Sequence, residues 1–400
     1  MKNTTPVIIL LTVVMLSFAG MRLGAQPIEK DRLTITAYGG PGVMINALNI
    51  YEHLIDTKVY GCTNLEIGFQ TRNTDNDFFA WAFNNPQMGI GLSYQSTGSL
   101  QFKNDSYLSD LYTLYGFFRG DIVRSGTFAL GPFINLGGTF SPATYDYYSN
   151  PANTYVGTNF LVYIGLGLDG RFHAGKNTDI GLKTTVAHRS NGMLRVPNHG
   201  LNMFETAAYV RYAIGGTETV KRGSKPALPD LKKWNFDIYS SGGVHSCDVE
   251  RHVGTSEKLP EDQRWTECKQ YLRLNLGGSV SYRYHPVFST GLGVDFFYTG
   301  NAKALEKCQY IMTGETVDLD PFHFGVYIQQ NFHYRNIAAC VALGAYLYKN
   351  LGPEDSEWDY QRATLRYFMP SLGNMFIGFG FKAHMFDRSD TLEFTLGKRF

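Results

Sequence analysis

Apolar and polar residues alternate with a period of two along most of the chain beyond residue 30. In residues 271–284, leucine, valine and tyrosine recur on one set of alternate positions, and arginine, asparagine and serine on the other. Residues 160–172 repeat this alternation. Successive side chains of a β-strand point to opposite faces, so the pattern indicates strands with one apolar and one polar face. The sequence therefore predicts an all-β fold.

The lengths of the segments and of their connections favour a membrane barrel over a soluble β-sandwich. The segments exceed the roughly 5–6 residues that soluble strands usually have. Tyr and Phe cluster near the segment ends, as in the aromatic girdles of membrane barrels. Short turns also alternate with long loops, as in bacterial barrels. In the second half the short turns fall near 285–286, 335–336 and 370–374, and the long loops near 245–268, 300–320 and 350–360.

We therefore expect an outer-membrane antiparallel β-barrel of about 16 strands in two eight-stranded halves. The halves correspond to residues 26–215 and 235–400, and a polar, basic linker is expected over 216–234. The even strand number suits a barrel. One wide barrel and two tandem barrels are both compatible with this count, and we favour the single wide barrel.

The two ends of the chain indicate export. Lys2, the apolar run 6–20 and the small residues before Gln26 predict a secretory signal peptide over residues 1–25. The alternative, an N-terminal membrane anchor, would need a longer apolar run. At the other end, alternating Leu and Phe residues lead to Phe400, which resembles the carboxy-terminal recognition strand of outer-membrane barrels. The expected location is the outer membrane of a Gram-negative bacterium.

Composition and charge exclude two other classes. Aromatic residues make up 14% of the 400 residues and charged residues only 18%, which argues against a disordered chain. Without residues 1–25 the chain has 34 basic and 35 acidic residues. Because this balance includes no basic block, we expect no nucleic-acid partner.

The five cysteines suggest at most a loop disulfide, since an exported protein sits where disulfides persist. Cys247 and Cys268 bracket one predicted outer loop, and Cys308 is an alternative partner in such a bridge. Cys62 and Cys340 fall within predicted strands and are expected to be small buried residues. Their spacing does not match a zinc site.

One group of polar residues lies where an apolar face is expected. His188 and Ser190 continue the apolar face of the strand over 180–190, and Asn202 opens the next strand on the same side. Polar groups on a lipid-facing surface are costly without a purpose. A serine becomes a nucleophile when a neighbouring imidazole takes its proton and a third group orients the ring. Ser190, His188 and Asn202 are therefore the candidate nucleophile, base and orienting residue.

Two further residues could stabilise the negative oxygen that such a reaction creates. Asn191 and the backbone N–H groups of the turn at Gly192 follow Ser190 directly and are candidates for an oxyanion hole. The alternative interpretation is an interfacial histidine beside an ordinary loop serine, since a His-x-Ser spacing alone is a weak signal.

The motif His188-x-Ser190-Asn191, followed by Pro197-Asn198-x-Gly200, resembles the outer-membrane lipid A 3-O-deacylases of the PagL type. The resemblance covers about residues 31–215. It implies hydrolysis of an ester-linked acyl chain of lipid A or lipopolysaccharide in the outer leaflet, with serine and histidine at Ser190 and His188. It also implies that no metal or other cofactor is needed.

The chain departs from this family at the third catalytic position. The family has a glutamate there, and the spacing puts Asn202 in its place. Glu205 is near in sequence, but it belongs to the opposite strand face unless a bulge shifts the register. Asparagine can orient an imidazole but cannot balance the charge of an imidazolium, so we expect lower or lost activity.

Two non-catalytic functions remain as alternatives. The first is a pore or structural barrel with a decayed hydrolase site, in which Arg273, Arg283 and Lys382 would line a wide lumen. The second is a surface binding protein that acts through its loops, such as the tyrosine-rich stretch 145–148. In the second half, His384 is expected to point into the lumen rather than to form another site.

Overall fold

The computed structural model describes residues 32–45, 58–71, 77–100, 102, 105–146, 149–214, 223–247, 269–352, 355–386 and 388–400. The predicted signal peptide over residues 1–25 lies outside these ranges, as do Tyr147, Tyr148 and Cys268. Contacts between residues divide the chain into two compact units, and the second unit begins at Asp230 except for the short segment 192–196. Each unit is an antiparallel β-barrel.

The first barrel consists of eight long strands and one short one. Long alternating segments form β1 (Arg32–Met44), β2 (Val59–Gln70), β3 (Gln87–Gln95), β4 (Leu111–Arg119), β6 (Phe128–Phe140), β7 (Phe160–His173), β8 (Thr178–Ser190) and β9 (Leu201–Ile214). The short strand β5 (Val123–Arg124) pairs only with β6. A five-residue helix, α1 (Phe78–Ala82), precedes β3, and the side chain of Asp77 caps it by accepting from the N–H groups of Phe79 and Ala80.

Pairing of β1 with β9 and of β4 with β6 closes this barrel. The remaining neighbours pair in sequence order, so each long strand lies between two others. Closure leaves no long strand edge unpaired in the described residues, which is the arrangement that a bilayer requires of strands.

The second barrel is built in the same way. Its strands are β10 (Trp234–Cys247), β11 (Lys269–His285), β12 (Phe288–Thr299), β13 (Phe322–Tyr334), β14 (Ile337–Tyr348), β15 (Asp359–Met369), β16 (Met375–His384) and β17 (Arg388–Arg399). The helix α2 (Ala302–Thr313) lies in the long connection between β12 and β13 and ends at Gly314, whose φ of 76° suits glycine. The predicted short turns at 285–286, 335–336 and 370–374 all join strands at one end.

The expected all-β barrel of two eight-stranded halves is confirmed, but the preference for one wide barrel was wrong. Each half closes on itself, since β1 pairs with β9 and β10 pairs with β17. Interior polar pairs reinforce each closure. Asp237 on β10 accepts from the guanidinium of Arg399 on β17 at 2.7 Å, and Lys183 on β8 donates to the hydroxyl of Tyr38 on β1.

The predicted alternation of faces is present in both barrels. On β8, the outward residues Ile180, Leu182 and Val186 are about half exposed, whereas Lys183 between them is buried in the interior. On β11, Leu272, Leu274 and Leu276 are likewise outward and exposed, and Arg273 and Asn275 are inward and buried. The polar faces therefore line the interiors, and the apolar faces form the outer walls, as in membrane barrels.

Both interiors are filled by charged and aromatic side chains. In the first barrel, the buried carboxylate of Glu66 contacts Lys183 at 2.7 Å and Arg119 at 2.8 Å. In the second, the buried carboxylate of Asp295 contacts Arg362 at 3.1 Å and accepts from the hydroxyl of Tyr360 at 2.9 Å. An eight-stranded barrel is just wide enough for its own side chains. The wide lumen of the pore alternative is therefore absent from the described residues.

The cysteines of the strands are buried, as expected. Cys62 lies in β2 at 2% exposure, and Cys340 lies in β14 and donates to Gln329. Because Cys268 is outside the described residues, its disulfide with Cys247 or Cys308 stays a prediction. None of the helices in the described ranges is long and apolar enough to cross a membrane.

Candidate active site on the outer wall of the first barrel

The candidate catalytic residues lie at one end of the hairpin formed by β8 and β9. The register puts His188 directly opposite Asn202 and puts Thr184 opposite Thr206 further along the same face. His188 is exposed on the outer wall, where two of its neighbours, Ile164 on β7 and Val186 on β8, are apolar. The predicted outward orientation of His188 is therefore present in the structure.

Asn202 lies within hydrogen-bond distance of the imidazole of His188. The Nδ1 atom of His188 lies 2.7 Å from Oδ1 of Asn202. An amide oxygen can only accept a hydrogen bond, so this contact requires the proton on Nδ1. The other ring nitrogen, Nε2, is then the basic one and is available to take a proton.

Ser190 lies beside His188, and both contact the same glycine. Gly200 adopts a φ of 70°, and a Cβ atom placed on it would lie 2.9 Å from Cε1 of His188 and 3.2 Å from Cβ of Ser190. Ser190 is 9% exposed. No hydrogen bond of its hydroxyl is present in the described part of the chain, so the serine is near the imidazole but not bonded to it. Such bonds often form only when a substrate is bound.

The loop that carries Gly200 is held in place by its backbone. The N–H of Gly200 donates to the carbonyl of Tyr155 at 3.1 Å, and the N–H of His199 donates to the carbonyl of Thr154 at 3.2 Å. At the start of β9, the carbonyl of Asn202 accepts from the N–H of Ile45 at 2.7 Å. The connection between β6 and β7 and the end of β1 therefore fix the position of the site.

The two residues predicted to stabilise the oxyanion, Asn191 and Gly192, differ in their surroundings. Asn191 is fully buried, and its backbone N–H already donates to Oδ1 of Asn198 at 2.9 Å. Gly192 has a φ of 59°, a conformation that favours glycine. These observations do not test whether Asn191 or Gly192 stabilises an oxyanion, so this role stays a prediction.

Asn198 is a candidate that sequence reasoning missed. Its Oδ1 is held by the N–H of Asn191, while its Nδ2 atom is buried and has no hydrogen-bond partner among the described residues. A buried amide donor without a partner is rare in folded proteins. The sequence contained Asn198 within the motif that precedes Gly200, but only the structure reveals that its donor is unused.

Glu205 points away from the site, as its strand parity predicts. Its carboxylate lies inside the barrel, where it accepts from the hydroxyl of Tyr60 at 3.1 Å and from the amide of Gln95 at 3.3 Å. β8 and β9 pair without a register shift from Thr178 to Arg189. Asn202, and not Glu205, is therefore the residue in contact with His188.

The second barrel contains a separate polar cluster in its interior. His384 points inward at 6% exposure, as expected, and groups with Asp355 and Glu357, whose ligand atoms lie within 4.8 Å of one another. Lys349 contacts Asp355 at 2.6 Å and Arg388 contacts Glu357 at 2.6 Å. Burial raises the pKa of Asp355, but Lys349 and Arg273 outweigh this effect and hold the pKa below its usual value. Basic residues thus already neutralise these carboxylates.

Comparison with protein families matches both barrels. Residues 73–211 match the family model described as lipid A 3-O-deacylase (PagL), and residues 234–400 match the model described as the C-terminal domain of acyloxyacyl hydrolase, PagL_C. The fold and the family thus define an outer-membrane barrel hydrolase that acts on ester-linked acyl chains. The two matches together cover most of residues 73–400, and the resemblance to the PagL type that the sequence indicated is confirmed.

Other comparisons add nothing to this assignment. A search of curated proteins found no match. Among solved structures, OccK8 (OprE) of Pseudomonas aeruginosa is 8% identical, with 94% of this chain and 99% of that chain covered at a TM-score of 0.23. Omp33 of Acinetobacter baumannii is also 8% identical, with 92% and 97% covered at a TM-score of 0.15. These TM-scores are too low to support any argument.

Replacement of Gly200 tests whether ester hydrolysis requires His188 and Ser190 to pack closely beside this glycine. Gly200→Ala puts a methyl group against both side chains and strains a backbone with positive φ, so we expect ester hydrolysis to fall by about 10²-fold. Gly175→Ala is the matched control, because a Cβ atom there meets nothing within 4 Å. Turnover of a lipid ester by the purified variants in detergent measures the effect, and equal rates for both variants would contradict this packing.

Proposed function

We propose that the protein is a serine esterase that removes an ester-linked acyl chain from lipid A or lipopolysaccharide, with Ser190 as nucleophile, His188 as general base and Asn202 as the orienting residue. The contact between His188 and Asn202, on a largely apolar outer wall, is the observation that carries this proposal. A hydrogen-bonded imidazole in that position has no structural need of its own, whereas a hydrolase of membrane lipids requires one.

The reaction follows from the tautomer that Asn202 favours. Nε2 of His188 takes the proton of Ser190 while the serine oxygen attacks the ester carbonyl. The tetrahedral intermediate then collapses, and the imidazolium returns the proton to the leaving sugar oxygen. Water, deprotonated by His188, then attacks the acyl-serine, and the imidazolium returns this proton to Oγ of Ser190 as the fatty acid leaves. Each step moves one proton through the same nitrogen.

Asn198 is the donor that we assign to the oxyanion. Its carbonyl oxygen is held by the N–H of Asn191, which fixes the amide plane, and its Nδ2 has no partner among the described residues. A preorganised donor of this kind stabilises the charge that develops on the carbonyl oxygen. Asn191 and the N–H groups around Gly192 remain the other candidates from the sequence.

The position of the site supports a substrate that arrives sideways from the membrane. His188 is exposed on the apolar outer wall, with Val186 and Ile180 along the same face. A lipid could bring its ester bond to Ser190 while its acyl chains stay in hydrocarbon. The end of the barrel that carries the site also carries the loops 96–110 and 141–159, and we assign this end to the outer leaflet.

Mass spectrometry of lipid A tests the reaction directly. Cells that express the native chain should yield lipid A with one fewer hydroxyacyl chain, and Ser190→Ala should reduce this deacylation by roughly 10³-fold or more. Thr184→Ala is the control, because Thr184 lies on the same face of β8 away from the site. Identical lipid A spectra for native and Ser190→Ala cells would refute the proposed activity.

Substitution of Asn202 distinguishes the effect of orienting the imidazole of His188 from the effect of a negative charge beside it. Asn202→Glu keeps an acceptor for Nδ1 of His188 and adds a negative charge beside the imidazolium, so we expect kcat to rise by about ten-fold. Asn202→Ala removes the acceptor and should lower kcat. Steady-state kinetics on a soluble ester would measure both. A rate unchanged in both variants would mean that Asn202 does not act on His188.

Substitution of Asn198 tests the oxyanion donor. Asn198→Asp keeps the oxygen that accepts from Asn191 but removes the N–H donor, so kcat should fall by roughly 10²–10³-fold while KM changes little. Asn198→Ala removes both groups and should lose at least as much. If Asn198→Asp retained the native kcat, the oxyanion would have to be held by Asn191 or by the turn at Gly192.

A further inference from the structure

The outer wall of the second barrel carries a groove that the hydrolase site does not use. The groove has a volume of about 910 Å³ and runs across the strands from β10 to β15. All its lining residues belong to the second barrel, and nearly all of the lining surface is apolar. A groove of this kind on a lipid-facing wall is the right environment for a hydrocarbon chain.

The strand register explains the shape of the groove. Its floor is one row of paired residues, in which Gly293 lies opposite Tyr327, Tyr327 opposite Gly344, and Gly344 opposite Tyr360. The side chains of Tyr327 and Tyr360 are buried in the interior, so this row contributes only backbone to the outer wall. The side chains of the rows on either side project outward and form the two walls.

Both walls of the groove consist of apolar residues, and the groove is wider where these residues are small. One wall is formed by the paired residues Val280, Leu292, Ile328 and Leu343, and the other by Gly278, Val294, Val326 and Ala345. From β11 to β15 the groove crosses four strand spacings, which is about 19 Å. It is therefore long and narrow, as an extended acyl chain is.

The end of the groove at β15 is polar. Tyr360 and Arg362 face the interior, so Asp359 and Gln361 face the outer wall, and both are only 8% exposed. Oδ2 of Asp359 accepts from the amide of Gln361, whose Oε1 accepts from the N–H of Phe386 at 2.8 Å. Oδ1 of Asp359 is buried and has no hydrogen-bond partner among the described residues. A buried carboxylate oxygen in this position calls for a donor from outside the chain.

We propose that this groove binds the hydroxyacyl chain of an outer-leaflet lipid, with the hydrocarbon between the two apolar walls and the hydroxyl donating to Oδ1 of Asp359. The polar end lies at the end of the barrel that carries the long connections 300–321 and 349–358, which is the outer end of a bacterial barrel. The hydroxyl of a chain anchored in the outer leaflet would therefore reach Asp359 at the correct depth.

The carboxyl group of Asp359 distinguishes between two sources of the chain. A released fatty acid carries its own carboxylate charge close to the hydroxyl, and burial of that charge in an apolar groove beside the oxygens of Asp359 is costly. A chain that is still esterified or amide-linked to its lipid has no such charge. The groove is therefore a site for the intact lipid and not for the product of its hydrolysis.

Tryptophan fluorescence can measure this binding, because Trp358 lines the polar end of the groove and is 66% exposed. The probes are a brominated 3-hydroxyacyl methyl ester, the same ester without the hydroxyl, and the free 3-hydroxy acid. Ser190→Ala protein in detergent micelles keeps the esters intact, so the result is independent of the proposed hydrolysis. We expect the hydroxylated ester to quench Trp358 with about ten-fold higher affinity than either other probe.

Two pairs of variants complete the test. Asp359→Leu should abolish the preference for the hydroxylated ester, and Trp358→Phe should remove the quenched signal. Ala345→Phe fills the groove and should weaken binding of both esters, whereas Ala339→Phe, on the same face of β14 outside the groove, should not. Equal affinities of the two esters for the Ser190→Ala protein, or an unchanged preference in Asp359→Leu, would overturn the proposal. Equal binding of the free acid would show that the groove accepts the product as well as the intact lipid, and would overturn the proposed selectivity.

Discussion

Buried ion pairs inside each barrel determine which side of the strands that carry them faces the membrane. Lys183 contacts Glu66 at 2.7 Å in the first interior, and Asp237 contacts Arg399 at 2.7 Å in the second. Because side chains alternate along a strand, a slip of one residue would move Lys183 into hydrocarbon and turn His188 inward. Such an exchange would leave charges without partners in a medium of low polarity, which is strongly unfavourable. The orientation of the candidate active site therefore depends on charges that never touch a substrate.

Gly200 lies beside both His188 and Ser190 and limits how the two side chains are placed. The alternation of β8 brings His188 and Ser190 to one face, but it does not determine how close they lie. Gly200, held by the carbonyl of Tyr155, occupies the space beside both side chains and leaves no room for a side chain of its own. Asn202 lies 2.7 Å from Nδ1 of the same ring, a contact that suits a proton on Nδ1. Local strand geometry and a single loop glycine together account for the arrangement.

The sequence allowed the strand faces to be predicted, because a period of two states directly which residues lie together. The outward position of His188 and the inward position of Glu205 follow from that period and agree with the structure. The number of barrels could not be obtained in this way. It depends on whether β10 pairs with β17 or with a strand of the other half. The alternation of residues within a strand is the same in both cases, so it does not reveal which distant strands pair. The unused donor of Asn198 was also beyond prediction, since hydrogen-bond partners depend on how loops fold.

Two pairs of polar residues, one on the outer wall of each barrel, share one property. His188 and Asn202 bond to each other, and so do Asp359 and Gln361, so that each pair satisfies part of its own hydrogen-bonding capacity in an apolar setting. In each case one group is left over: Nε2 of His188 by the tautomer, and Oδ1 of Asp359 by the absence of a partner in the described residues. Pairing of this kind lowers the cost of placing polar residues against lipid without removing it. The remaining cost is reasonable only if a lipid supplies the missing contact, which is why both positions are best understood as sites for ligands that arrive through the membrane.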